Sequence, residues 1–129
     1  MLRALLVEDN LLFRGVLAEV LRTRFPGIAV DEAGDSEAAL RHVNERSPDL
    51  AFVDISLPGQ NGIVLVREIK AIAPNVYVIM LTGHDLPEYR KAAFQEGADW
   101  YIYKNANNTH DEIIAQVRQL QHAASHRHA

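Results

Sequence analysis

The chain has 129 residues, the size of one domain, and 48% of them are hydrophobic, enough to build a core. Thirteen basic against 17 acidic residues leave a net charge of −4, which argues against nucleic acid held by this segment, because phosphate binding needs a basic face. The absence of cysteine excludes disulfide scaffolds, thiolate zinc sites and cysteine nucleophiles.

In chain order, Leu2–Val7 is a short aliphatic run of strand length. It passes straight into Glu8-Asp9, without the length or cleavage site of a signal peptide, so a cytoplasmic location is expected. Phe13, Val16, Leu17, Val20 and Leu21 then recur at helical spacing, with Asn10 as N-cap and Pro26-Gly27 as the stop. Ile28-Ala29-Val30 begins a second strand. Asp35 or Ser36 caps a helix through Leu40 and Val43 to Ser47-Pro48. Leu50–Val53 is the third strand, followed by a loop with Pro58-Gly59 and Gly62. A helix carries Ile63, Val66, Ile69 and Ile72. Val76–Leu81, the longest apolar run, is the fourth strand and far too short to span a membrane. Pro87 suits the first turn of a fourth helix and Gly97 its C-cap. Trp100–Tyr103 is the fifth strand. Thr109 with Glu112 reads as a capping box for a last helix through Ile113, Ile114, Val117 and Leu120.

Alternating strands and helices, with aliphatic strands, predict a doubly wound α/β fold. The expected architecture is a five-stranded parallel sheet of order 2-1-3-4-5, a flavodoxin-like (βα)5. In such sheets the working site lies beyond the carboxyl ends of the strands. The first strand ends in Glu8-Asp9, the third in Asp54, the fourth in Thr82 and the fifth in Lys104. Three carboxylates, a hydroxyl and an ammonium are thus expected at one edge. Crowded carboxylates need a counter-ion, and hard oxygen ligands suit Mg²⁺, which is usually shared with phosphate. A carboxylate can take a phosphoryl group as a nucleophile, and the rest of that chemistry is positioning and charge neutralisation. Asp54 stands alone at the end of a central strand and reads as the nucleophile. Glu8-Asp9 reads as the metal pair. Lys104 and Thr82 can meet phosphoryl oxygens. Taken singly, Asp9 or Asn10 could be only a helix cap, Asp54 a strand terminus and Lys104 one of three lysines on the surface. Their coincidence at four strand ends carries the reading.

These residues resemble the response-regulator receiver domain of two-component signalling. The resemblance lies in Leu5-Leu6-Val7-Glu8-Asp9-Asn10, Asp54 with Leu57-Pro58-Gly59 and Gly62, Leu81-Thr82-Gly83, Glu96-Gly97-Ala98-Asp99, and Tyr101 three before Lys104. It runs from about Leu2 to Leu120. Phe13-Arg14 and Phe25-Pro26-Gly27-Ile28 further resemble receivers of the LuxR or NarL kind, which precede a helix-turn-helix domain. The resemblance implies that Asp54 is the phosphoacceptor. It implies that Asp9 and Asp54 hold Mg²⁺ (or Mn²⁺), with Glu8 acting through water and the Ser56 carbonyl as a further ligand. Lys104 and Thr82 would contact the phosphoryl group, Thr82 and Tyr101 would form the switch, and His84 is a candidate modulator of hydrolysis. The donor would be a sensor histidine kinase or a phosphotransfer protein. The output surface would be the fourth helix, fifth strand and fifth helix, which is also the candidate homodimer face. The chain would catalyse only its own phosphorylation and dephosphorylation.

Glu8 stands where the family more often has Asp, and Asn105 where many receivers have proline, so a cis peptide is not expected there. Residues 1–121 would be the receiver and 122–129 a polar tail or the start of a linker, so DNA would be reached only through a further domain. His122, His126 and His128 have helical metal-ligand spacing, but a frayed tail is the simpler reading. Tyr101 and Tyr103, beside Tyr89, could mark a partner surface. Two other functions compete. A haloacid-dehalogenase-like phosphohydrolase would want a second Asp where Asp54-Ile55-Ser56 has Ser. A phosphate-independent module on the same fold would have lost the acids or the lysine. An FMN site is disfavoured by the acidic first loop.

Overall fold

The computed structural model describes residues 2–127, with side chains described as far as Ala123. In chain order the elements are β1 (Arg3–Val7), α1 (Leu11–Arg24), β2 (Ala29–Ala33), α2 (Ser36–Glu45), β3 (Leu50–Asp54), α3 (Gly62–Ile72), β4 (Tyr77–Thr82), α4 (Pro87–Gln95), β5 (Trp100–Tyr103) and α5 (Thr109–Arg127). The strands pair in parallel in the order β2-β1-β3-β4-β5, the expected doubly wound sheet.

Side chains of a strand point alternately to the two faces, so a sheet covered on both sides needs strands that are apolar throughout. β3 meets this: all five of its residues are buried. Leu5, Val7, Ala51, Val53, Val78 and Met80 face one way, against Ala39 and Val43 of α2, Leu65, Val66 and Ile69 of α3, and Ala93 of α4. Ala4, Leu6, Leu50, Phe52, Ile79 and Leu81 face the other, against Leu17, Ala18 and Leu21 of α1 and Ile113, Ile114 and Val117 of α5. Each large side chain fully buried in this way contributes about 1.5–3 kcal/mol of transfer free energy.

Helix entry follows local hydrogen bonding. Asn10 Oδ1 accepts from Phe13 N at 3.0 Å, and Asp35 Oδ1 accepts from Ala38 N at 2.8 Å, so both expected caps form. Pro87 opens α4, and Gly97 closes it with φ 114°, where a side chain would be strained.

Several sequence expectations are corrected. The Thr109–Glu112 capping box does not form. The Thr109 hydroxyl is buried and donates to Tyr103 O at 2.7 Å and Ala106 O at 2.9 Å, so it ties α5 to the end of β5. Glu112 instead accepts from Trp100 Nε1 at 3.1 Å. β2 starts one residue later than expected and runs to Ala33, α2 ends at Glu45, and β4 is shifted one residue on, to Tyr77–Thr82. Val16 and Ile72 keep the helical period but lie at the edge of their apolar stripes and are exposed, while Ala18 and Leu65 take the buried places. Residues 122–127 continue α5 as helix, while the side chains of His126 and His128 lie outside the described residues.

Candidate functional site

Strand register assembles the site. β1 and β3 pair with Val7 opposite Val53, so the next residues, Glu8 and Asp54, leave the sheet side by side. β3 pairs with β4 through Asp54 and Leu81, and β4 with β5 through Thr82 and Tyr103, which puts Thr82 and Lys104 just beyond Asp54. β1 lies between β2 and β3, so this edge is the point where the strand order reverses.

Burial and charge then act on the cluster. Glu8, Asp54 and Thr82 are almost wholly buried, at 1%, 4% and 1% exposure, while Asp9 is exposed. Carboxylate oxygens of Glu8, Asp9 and Asp54 lie within 4.8 Å of one another. The Lys104 ammonium is 3.4 Å from Asp54 Oδ2 and forms a tighter ion pair with Glu8 Oε1. That Glu8 oxygen is buried with the ammonium as its partner, while Glu8 Oε2 accepts from Asn10 N at 3.3 Å. Burial pushes the Glu8 carboxyl above its ordinary value, and the neighbouring Asp54 pushes the same way, against the pull of Lys104. One ammonium does not neutralise three carboxylates. The donor set is hard oxygen with surplus negative charge, two of its three carboxylates buried, which fits a divalent cation such as Mg²⁺.

The backbone around Asp54 is set by close packing. Asp54 Oδ1 accepts from Ser56 N at 3.4 Å. Gly62 opens α3 directly against the end of β3: a Cβ there would stand 2.0 Å from Asp54 O, so only glycine fits. Ser56 itself is exposed. Thr82 does not point at Asp54. Its hydroxyl donates to His84 O and accepts from His84 N, both at 3.0 Å. The Tyr101 hydroxyl donates to the same His84 O at 3.4 Å. His84 therefore serves the site through its backbone, while the residue as a whole is exposed. Tyr101 is 2% exposed and packs in the core, while Tyr89 and Tyr103 are half-buried. Burial raises its phenol above the ordinary value, with Asp85 and Tyr89 adding to that and Thr82 and Arg90 opposing it. Among the described residues, the exposed large apolar residues of α4, β5 and the loop before α4 are Leu86, Phe94 and Trp100.

The contacts of three residues at the site were not read from the sequence. Arg14 donates from Nη1 to Glu8 O at 2.9 Å and from Nε to Glu32 Oε1 at 3.0 Å, and so fixes the end of β1. The Phe13 ring lies under the Lys104 ammonium, 4.5 Å from it. Asn105 Nδ2 donates to Gly83 O at 3.4 Å and links the two loops beside Lys104. Among the described residues no peptide bond is cis, as expected with Asn105 in the place of proline.

The geometry is an acidic cluster with one lysine at the switch point of a doubly wound α/β sheet, and similarity to known proteins identifies the class. The family model described as response regulator receiver domain matches residues 4–118, so the chain belongs to that family. It is therefore a signalling domain of two-component systems rather than a conventional enzyme. The virulence transcriptional regulatory protein PhoP of Salmonella typhimurium is 33% identical over 120 residues, which are 93% of this chain and 52% of that protein. The chain thus spans about half the length of the curated relatives it matches. Among solved structures, a LuxR-family two-component response regulator from Aurantimonas sp. SI85-9A1 is 29% identical with a TM-score of 0.84, covering 93% of this chain and 84% of that one. A CheY-like response regulator receiver domain protein from Methanospirillum hungatei JF-1 is 25% identical with a TM-score of 0.86, covering 98% of both chains. Among the described residues, no helix is long and apolar enough to cross a membrane.

Proposed function

We propose that the chain is a phospho-switch in which Asp54 accepts a phosphoryl group from a phosphohistidine on a sensor kinase or phosphotransfer protein. The observation that carries this is the single ammonium of Lys104 held beside buried Asp54 in a cluster of three carboxylates. An Asp54 carboxylate oxygen forms the new P–O bond as the P–N bond of the donor imidazole breaks. Lys104 neutralises charge on the phosphoryl oxygens. Asp9 and Asp54, with Glu8 through water and the Ser56 carbonyl, would hold Mg²⁺ (or Mn²⁺). When bound, the ion offsets the charge that builds up on the phosphoryl group.

The switch reading rests on the shared acceptor. Thr82 and Tyr101 both donate to His84 O. A phosphoryl group on Asp54 offers the Thr82 hydroxyl a charged acceptor, which is worth more than a neutral carbonyl. As Thr82 turns to it, the loop carrying His84 is released, and Tyr101 with α4, β5 and α5 takes a second arrangement. That face would carry the signal to an output domain, a partner or a second copy. His84 at the mouth would tune hydrolysis. We take 1–121 as the signalling unit in a cytoplasmic setting, with 122–129 as a tail or linker and DNA reached only through a further domain.

Phosphorylation by a small phosphodonor with Mg²⁺, followed by phosphate-affinity electrophoresis, tests this. Wild type should be retarded and Asp54→Asn should not. Equal retardation of both, or of neither, removes Asp54 as the acceptor.

A further inference from the structure

We propose that Phe13 is a positioning residue for the phosphoryl site: the face of its ring holds the Lys104 ammonium against Glu8 and Asp54. The inference rests on the reading of Asp54 as phosphoacceptor and adds to it a residue that touches neither phosphate nor metal.

Lysine is a flexible four-carbon stem ending in a hydrated point charge, and it loses its aim easily. Lys104 follows directly on β5, at the start of a loop. Two carboxylates attract it from one side. The Phe13 ring also meets it, 4.5 Å from Nζ to the ring centre, within the range in which the negative ring face attracts a cation. The Lys104 side chain is 14% exposed, so water screens this contact only in part. Phe13 is itself fixed: its N–H is the one that Asn10 caps, and its ring packs on the cluster beneath α1. The next residue, Arg14, bonds the Glu8 carbonyl. One helical turn therefore sets two groups of the site at once, the cation through Phe13 and the end of β1 through Arg14. Glu8 and Asp54 both pair with the same ammonium, so its placement decides whether both are served. The ring keeps it within reach of both.

Phe13→Leu keeps the apolar bulk and removes the ring, while Phe13→Tyr keeps the ring. At saturating Mg²⁺ and a small phosphodonor, Phe13→Leu should be phosphorylated about threefold to tenfold more slowly, and Phe13→Tyr at the wild-type rate. In proton NMR, the Lys104 methylene protons next to the ammonium should lose their ring-current shift in Phe13→Leu and keep it in Phe13→Tyr. Two results overturn the proposal: a Leu variant as fast as wild type, or a Tyr variant as slow as the Leu variant. If wild type itself takes no phosphoryl group, the reading of Asp54 fails, and the resonances still decide the contact. A shift lost only in Phe13→Leu then sustains the ring's hold on Lys104, and a shift unchanged in both variants removes it.

Discussion

The two ends of the sheet use similar groups to opposite effect. At the amino end, Lys70 donates to Asp99 Oδ2 at 2.8 Å and to Val76 O at 2.6 Å, while the same carboxylate oxygen accepts from Val78 N at 2.8 Å. Arg3 likewise pairs with Asp31, and its N–H is accepted by Asp49. Each charge there has its partner, and the arrangement is closed. At the carboxyl end one lysine faces a surplus of carboxylates, two of them buried, and Thr82 is spent on its own loop. A lysine–aspartate contact is thus not a site in itself. What makes a site is charge left unbalanced where the strand ends converge.

The largest test of that contrast is to open the closed end. Asp99→Ala leaves Lys70 and the Val78 N–H without their partner, and should lower stability by about 1–3 kcal/mol, read from the urea midpoint. Phosphorylation of the folded protein should not change. A slower phosphorylation at full folding would show that the two ends are coupled, and the contrast would fail.

A smaller effect of opposite sign is expected at the other end. Burial raises the Glu8 carboxyl above its ordinary value of 4.5, so folding favours its protonated form. The stability it contributes is therefore present below about pH 4.5 and is lost as pH rises through the raised folded value. Glu8→Gln cannot titrate. Its advantage over wild type should open across that window and be present at pH 7 without metal, since a neutral amide escapes the desolvation and the repulsion from Asp54 that raise the carboxyl. Adding Mg²⁺ should then raise the melting temperature of wild type more than that of Glu8→Gln, because a ligand stabilises only what binds it. A Gln variant less stable than wild type at pH 7, with no metal present, would mean that the Glu8–Lys104 pair outweighs the cost of burial.

These tests show which parts of the molecule were legible in the sequence. The apolar runs and the caps at Asn10 and Asp35 were legible because each depends on near neighbours in the chain. Glu8, Asp54, Thr82 and Lys104 were legible as a group because a parallel sheet delivers all its strand ends to one edge. The direction in which Thr82 points was not, because a hydroxyl takes whichever acceptor the loop presents, here His84 O. Thr109 misled for the same reason: Tyr103 O came within 2.7 Å, and the capping box gave way to it. Gly62 was visible as a motif residue, but its reason, contact with the Asp54 backbone, exists only after folding. Phe13 and Arg14 read as a helix face and a family likeness, and only the packed structure turns them toward Lys104 and Glu8.

The smallest predicted effect compares two tyrosines, half-buried Tyr77 at one end and buried Tyr101 at the other. Burial raises both phenols above the ordinary value of 10.0, so their contribution to stability is lost as pH climbs beyond that range. Their secondary causes differ. Tyr77, which donates to Gln116 Oε1 at 2.9 Å, is raised further by the charge of Asp99. Tyr101 lies 4.9 Å from the Arg90 guanidinium, which opposes its rise. In an ultraviolet titration of the four tyrosines, Tyr77 and Tyr101 should ionise last. Asp99→Asn should bring Tyr77 down without moving Tyr101, and Arg90→Ala should raise Tyr101 without moving Tyr77. Site-resolved NMR would assign the two. If either substitution moved both tyrosines, charge at one end of the sheet would be felt at the other, and the closed end could no longer be treated as independent of the open one.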